Sequence, residues 1–403
     1  MSKTLKIAGM PNLHSHSFQR AMAGLTERQT NPSDSFWTWR ELMYRFASRI
    51  TPDQLHAIAS QLYVEMLEAG YTSVCEFHYL HHQPDGKMYA DNSAMSQAII
   101  QAAQDTGIGL TLLPVLYMTG GFDGRALNEQ QKRFGHSVEE FLALIAKLQS
   151  QENEKLKIGI AFHSLRAVPE KAMHEVLASI SGKLPIHIHI SEQMPEVNEC
   201  VALRGVGPVQ WLMDNADVNH DWTLVHATHL DDAEVALIAK SKATVAICTT
   251  TEANLGDGFF RLRDFIVAGG AFGIGSDSNT SVSPVEELRW LEYGQRLLHQ
   301  QRNIAVTPEQ TSVGKFLWQK SVGDGRISSQ QDCSEDYLIL DENAVALAGV
   351  NDAMLYDRLV FGGNRCLVKD VFVAGKLVVG DGKHAARESI ATNYSKVLNQ
   401  LLA

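Results

Sequence analysis

His14 and His16, one residue apart, close a short apolar run near the start of the chain, and His163, His189, His226 and Asp277 stand at the ends of four other such runs. Neutral imidazole and carboxylate oxygen are good ligands for a divalent cation, and a catalytic metal needs three or four converging N/O donors with one position left open. A lone His-x-His pair is as readily a surface or core pair; donors recurring at several strand ends carry more weight. The pattern therefore predicts a metal centre drawn from His14, His16, His189, His226 and Asp277. Asp277 could hold the ion and also accept a proton from a water whose pKa zinc lowers to about 7. Glu192, three residues after His189, is either a first-turn helix carboxylate favoured by the dipole or a proton shuttle to a leaving group. Arg40 in FWTWREL and Arg166 in HSLRAVP are ordinary surface or salt-bridging cations when taken singly. Beside a metal centre they become candidates for gripping a carboxylate bidentately.

Such residues need a scaffold that gathers strand ends. Eight short apolar, β-branched runs read as strands: 5–13, 71–77, 109–117, 156–162, 184–190, 222–225, 243–249 and 271–276. Between them lie amphipathic stretches with helix punctuation: Thr51-Pro52 opens one that stops at Gly70, Ser137 pairs with Glu140, Asp231 caps a third, and Ser283-Pro284 with Glu286 a fourth. Eight strands alternating with helices predict an α/β fold, a (β/α)8 TIM-like barrel, whose catalytic face is made by the C-terminal strand ends. The donors named above fall on that face, as does Tyr79 after the second run. His187 sits one layer deeper and reads as a buried structural histidine, and His229 as a second-layer or solvent-facing one. His78, His81, His82 and His136 read as solvated loop residues. The stretch 17–49 is too long for a plain βα connection, which points to a functional loop.

From about Asn303 the pattern changes. After a helical 311–322 come strand-like pieces at 336–341, 358–363 and 366–382, the last a hairpin turning at Ala374-Gly375, then a helix from about Asn393. The expected division is a barrel over 1–322 and a small β appendage with a terminal helix over 323–403. A chain of 403 residues that is 45% apolar has ample core material, and no run of about 18 apolar residues could span a bilayer. Lys and Arg total 35 against 46 Asp and Glu, a net charge of −11, which disfavours nucleic acid and anionic membrane as partners. Five cysteines without CxxC spacing argue against a disulfide framework and a zinc ribbon, and no export signal is visible; the expected compartment is the cytoplasm.

His-x-His after strand 1, histidines after strands 5 and 6, and aspartate after strand 8 resemble the ligand pattern of the amidohydrolase superfamily. His163 in place of a lysine after strand 4 resembles its mononuclear deaminase branch. GMPNLHSHSFQRAMAG, DSFWTWRELMYR, FHSLRAVP, HIHISEQ, LVHATHL and GIGSDSNTSVSPVEELRWLEYGQRL resemble, within it, the formimidoylglutamate deiminase family, over about 9–302. The resemblance implies one divalent metal ion, Zn2+ first and Fe2+, Mn2+ or Ni2+ as alternatives, on His14, His16, His189 and Asp277. It implies that Glu192, His226 and Asp277 handle protons. Gln19, Arg40, Tyr79, His163, Arg166 and His226 would hold the substrate, the arginines on its carboxylates. The implied reaction is hydrolysis of N-formimino-L-glutamate to N-formyl-L-glutamate and ammonia, in histidine degradation, by a homodimer. Members of the family carry a segment before the first strand that completes a β-sandwich with the C-terminal strands. The chain here starts almost at strand 1, so a small, incomplete β-sandwich with exposed hairpin edges is expected. Two other readings are a deaminase of a nucleobase or other amidine, and a truncated non-catalytic metal-binding barrel.

Overall fold

The computed structural model describes residues 4–27, 36–180 and 182–403, and begins with β1 (Lys6–Ala8) and β2 (Met10–Ser15). There follow β3 (Tyr71–His78), β4 (Gly109–Leu116), β5 (Leu156–Ile158), β6 (Ile160–Ser164), β7 (Ile186–Ile190), β8 (Trp222–His226), β9 (Thr244–Ile247) and β10 (Ala271–Ile274). Runs this apolar must be covered on both faces, which a parallel sheet wrapped in helices provides. The order is β2-β3-β4-β6-β7-β8-β9-β10, all parallel, with the short β5 beside β4. A parallel bridge between Ser15 and Asp277 brings the two ends of the sheet together into a nearly closed barrel. Helix punctuation acts as the sequence predicts. Thr51, Ser137 and Asp231 each close a capping box, Ser283 accepts from the Glu286 amide, and the helix Pro52–Ala69 stops on Gly70 at φ 106°.

The first predicted strand divides at Gly9. A Cβ there would lie 2.3 Å from Thr72 Cγ2, so the chain crosses its neighbour with no side chain and changes sheets. β1 leaves the barrel and pairs with a second sheet made of β11 (Tyr337–Leu340), β12 (Val368–Val373), β13 (Lys376–Gly380) and β14 (Lys383–His384). This sheet is antiparallel, in the order β1-β11-β12-β13-β14. Its hairpin turns at Ala374 and Gly375, both left-handed (φ 48° and 72°), as a two-residue turn between right-twisted strands requires. The second sheet thus draws on both 6–8 and 337–384. The helix Val313–Ser329 runs straight through position 322, where a boundary is expected from the sequence, and Trp318 Nε1 donates to Ala8 O at 3.1 Å, tying the two sheets together.

Three expectations for the C-terminal region are corrected. Residues 358–363 are not a strand; most of them lie in the helix Leu355–Phe361, where Asp357 Oδ1 accepts from Gly314 N at 2.8 Å and Arg289 Nε donates to Val360 O at 2.8 Å. Tertiary partners override the β-like composition. The terminal helix is longer than expected, Arg387–Leu402. The hairpin side of the sheet is not an open edge: β14 is only two residues long, His384 N donates to Glu68 Oε1 at 2.9 Å, and its buried imidazole Nε2 donates to Thr106 O at 3.0 Å. Among the described residues no helix is long and apolar enough to cross a membrane.

Candidate active site

His14 lies in β2, His16 just beyond it, His189 in β7, and Asp277 beyond β10 in left-handed backbone at φ 46°. His14 Nε2 is 3.2 Å from His16 Nε2 and 3.1 Å from His189 Nε2, and Asp277 Oδ1 is 3.4 and 3.3 Å from the Nε2 atoms of His14 and His16. All four residues are buried. Nδ1 of His16 faces Phe77 O at 2.8 Å and Nδ1 of His189 faces His163 O at 3.0 Å. A carbonyl only accepts, so these nitrogens carry the hydrogens and both Nε2 atoms are lone pairs turned toward the same point. Lone pairs and a carboxylate oxygen gathered there repel one another unless a cation lies among them. Ligands about 2.0–2.1 Å from a tetrahedral ion stand about 3.3 Å apart, close to the separations found. The donor set therefore fits a divalent cation. Burial, followed by the crowding of neighbouring imidazoles, holds His14 and His189 well below the usual histidine pKa, in the neutral form that ligates. Gly275 makes room: a Cβ there would fall 2.7 Å from His14 Cβ.

Beside this cluster, His226 ends β8 in left-handed backbone, φ 69°. Its Nε2 is 3.8 Å from both Glu192 Oε1 and Asp277 Oδ2, while Nδ1 faces Glu252 Oε1 at 3.3 Å. Burial alone would lower its pKa; the carboxylates of Glu192, Glu252 and Asp277 outweigh this and push it up to about 10. Glu192 is raised, chiefly by burial and then by Asp277 and Glu252, against the opposing pull of His226 and Arg166. A carboxyl so placed retains its proton closer to neutrality than an exposed one. The Glu196 carboxylate, on the helix Met194–Arg204, accepts the amides of Ser191 (3.4 Å) and Glu192 (3.2 Å) and so fixes the bend that presents Glu192. Left-handed backbone at Ser191, His226 and Asp277 costs about 1–3 kcal/mol at each, and all three positions serve this one centre.

The cluster opens into a cleft enclosing about 590 Å³, part of it continuous with solvent. Every site residue named from the sequence lines it except His14, which lies beneath its floor. Gln19, on the 3-10 helix Ser17–Met22, donates to Tyr79 Oη at 2.8 Å, and the His163 ring packs edge-on against Tyr117 and His189. Arg40 and Arg166 line the same cleft. Arg40 rides on the helix Phe36–Ala47, inside the stretch read as a long loop; positions 28–35 of that stretch lie outside the described residues. The sequence reading missed Tyr44, Tyr117 and Glu252. Tyr117 follows β4 and the strand-end rule would have found it; Tyr44 lies one helical turn from Arg40. Glu252 reaches His226 from the helix Thr249–Leu255 and carries no local signal.

The loop histidines are a correction. His78, His81, His82 and His136 are buried, not solvated; His78 ends β3 instead of lying in a loop, and the His136 ring is tilted against His81 and edge-on to His82 at ring separations of 4.3 and 4.8 Å. Burial pushes His78 and His136 down to about 3, and lowers His81 and His82 as well. The unfolded chain takes up protons at these positions near pH 6.5 and the folded chain refuses them until much lower pH. Stability contributed by their burial is therefore present above about pH 6.5 and is lost as pH falls through the window toward 3, at up to about 1.4 kcal/mol per pH unit for each group. Urea titrations at pH 7 and pH 5 should show a smaller loss for His136→Gln than for the parent chain; equal losses would contradict this account.

Comparison with known proteins gives a consistent outcome. The sequence model of the amidohydrolase family matches residues 5–312. Formimidoylglutamate deiminase of Pseudomonas aeruginosa is 50% identical over 404 residues, which cover 98% of this chain and 89% of that protein. The crystal structure of an amidohydrolase from Brucella melitensis superposes with a TM-score of 0.94 at 45% identity, over 99% of this chain and 90% of that one. Atrazine chlorohydrolase from Arthrobacter aurescens, solved with zinc, shares the fold at a TM-score of 0.82 and 19% identity, over 98% and 88% of the two chains.

Proposed function

This chain belongs to the amidohydrolase family, and from that premise we propose that it hydrolyses N-formimino-L-glutamate to N-formyl-L-glutamate and ammonia, a step of histidine degradation. The observation that carries the reading is one cleft with two chemically distinct ends: a cation-binding cluster flanked by proton carriers, and a wall bearing two guanidinium groups. A divalent ion, zinc by analogy with the chlorohydrolase, would be held by His14, His16, His189 and Asp277 and would supply the Lewis acidity that makes a water nucleophilic near neutral pH.

The residues then divide the work. Asp277 Oδ2, turned toward His226, takes the proton of the attacking water. As oxygen adds to the formimino carbon, Glu192 gives its proton to the imino nitrogen, creating a tetrahedral centre that bears a hydroxyl and an amino group. Asp277 then passes the proton it took to that amino group and Glu192 recovers the hydroxyl proton, so that ammonia leaves, the carbon–oxygen double bond forms and both carboxyl groups are restored. His226, drawn toward its charged form by three carboxylates, stabilises charge developing on the reacting oxygen. Arg40 and Arg166 hold the carboxylates, with Gln19, Tyr79 and His163 lining the passage between the two ends. A nucleobase has no carboxylate for either guanidinium, and a non-catalytic barrel has no use for Glu192 at this position. The free cysteines fit the reducing cytoplasm in which we place the enzyme.

The direct test is ammonia release by zinc-supplemented protein from N-formimino-L-glutamate, with adenosine and 5-methylthioadenosine as comparators. Turnover of the formimino compound alone, reduced at least tenfold by Arg166→Ala, is expected. Deamination of a nucleoside with no release from the formimino compound would replace this reading by the nucleobase one.

A further inference from the structure

Gln131 is buried, and a backbone group dictates which way its amide points. Its Oε1 accepts the N–H of Asn128 at 3.0 Å, and Asn128 Oδ1 accepts the N–H of Gln131 at 2.9 Å. A backbone N–H can only donate, so Oε1 must face it and Nε2 must face the other way. There Nε2 stands 3.0 Å from Tyr117 Oη and 3.4 Å from Tyr44 Oη, one hydrogen for each. Tyr44 Oη also accepts from Arg40 Nε at 2.7 Å, and Tyr117 Oη lies within hydrogen-bonding reach of the Arg166 guanidinium. Tyr44 Oη therefore receives two donors and Tyr117 Oη one, with the Arg166 guanidinium near it, and an amide NH2 or a guanidinium has no lone pair to offer in return. Among the described residues this network holds no acceptor for either phenol O–H. Both tyrosines and both arginines line the cleft.

We propose that Gln131 sets the polarity of a carboxylate receptor, in which the hydroxyls of Tyr44 and Tyr117 and the guanidinium groups of Arg40 and Arg166 present only donors, so that a carboxylate is selected over the isosteric amide. The proposal rests on the substrate reading above for the molecule that bears the carboxylate. A carboxylate brings two acceptor oxygens and no hydrogen. An amide of the same shape brings an NH2 group that would meet donors on every side, leaving buried donors unpaired, and sites built this way reject the mismatched analogue by up to 10⁴–10⁵-fold. Gln131 acts through the tyrosines and is a positioning residue.

The test is calorimetric binding to the zinc-loaded protein of N-formyl-L-glutamate and its two monoamides, N-formyl-L-glutamine and N-formyl-L-isoglutamine. The parent should prefer the diacid over at least one monoamide by about 10²-fold or more. That preference should fall below about tenfold in Gln131→Leu and in the Tyr44→Phe/Tyr117→Phe double variant. On N-formimino-L-glutamate the same variants should raise KM and leave kcat within about threefold, a split that general loosening of the fold would not give. If Gln131→Leu fails to fold, the phenylalanine pair, which removes two oxygen atoms and nothing else, decides. An undiminished preference in that pair overturns the proposal. A parent that binds the diacid selectively but releases no ammonia sinks the catalytic reading and supports the receptor; a parent that releases ammonia yet binds both monoamides as tightly as the diacid does the reverse.

Discussion

Glu192→Gln is expected to lower kcat by about 10²–10⁴-fold with KM and bound metal close to those of the parent. Glutamine fills the same volume, and the two backbone amides held by Glu196 keep the bend at 191–192 in place, so the variant loses the transferable proton and little else. The expected loss is large because His226, the other group beside Glu192, is 3.8 Å away and is itself held in its charged form by neighbouring carboxylates. It is a poor substitute for a carboxyl that must give up a proton and be reloaded in each cycle. Steady-state ammonia release with parallel metal analysis checks this. A fall of less than tenfold at unchanged metal content would remove Glu192 from the proton path.

His189→Ala is expected to abolish both activity and tight metal binding. The His189 imidazole is locked by its Nδ1–H on His163 O and by close packing against Phe77, with ring centroids 4.2 Å apart, so its lone pair has one direction. Alanine removes one of four donors, and the described side chains nearest to replacing it are poor ligands: His226 is drawn toward its charged form by three carboxylates, and a protonated imidazole has no lone pair to give, while burial holds the Cys248 thiol in its protonated form. After dialysis against a chelator and reloading with one equivalent of zinc, the parent should retain about one ion per chain and the variant should lose it on a desalting column. Adding zinc should also raise the melting temperature of the parent and leave that of the variant unmoved, since an ion that binds only the folded state stabilises it by mass action. Retention of zinc by His189→Ala would show that the ligand set is wrong.

The barrel and its catalytic face were legible because both follow from local rules. Apolar runs of strand length, caps such as Thr51 and Ser137, and polar residues at run ends are all written within a few positions of one another. What could not be read depends on partners far away in the chain. The break at Gly9 arises from Thr72, and the helix Leu355–Phe361 from Gly314 and Arg289. The burial of His81, His82 and His136 in loop positions arises from the way 81–82 folds against 133–136. The wall of the cleft is the sharpest case. Gln131 and Tyr44 are 87 positions apart, and nothing in NEQQKR around Gln131 distinguishes it from a solvated polar turn. Arg40 and Arg166 could be picked out by their charge and Tyr117 by its place after a strand; Gln131, which orients the donors around them, could not.

The seam of the barrel has a consequence for how the molecule comes into being. β2 and the segment after β10 are joined where Asp277 N donates to His14 O and His16 N donates to Asp277 O, each at 2.9 Å, with Asn279 Nδ2 bridging to Ser15 Oγ at 3.3 Å. These segments are as much as 264 positions apart, as for Asn12 and Ser276, so their pairing loses more loop entropy than any hairpin in the fold and belongs to the late stages of assembly. Three of the four groups that would hold the ion lie on this join. Closing the ring and bringing these donors together are therefore one event, and an ion held by them would act as a latch on the finished topology: where the metal is scarce, the shortfall would appear first as chains left open along this seam, and only then as lost turnover.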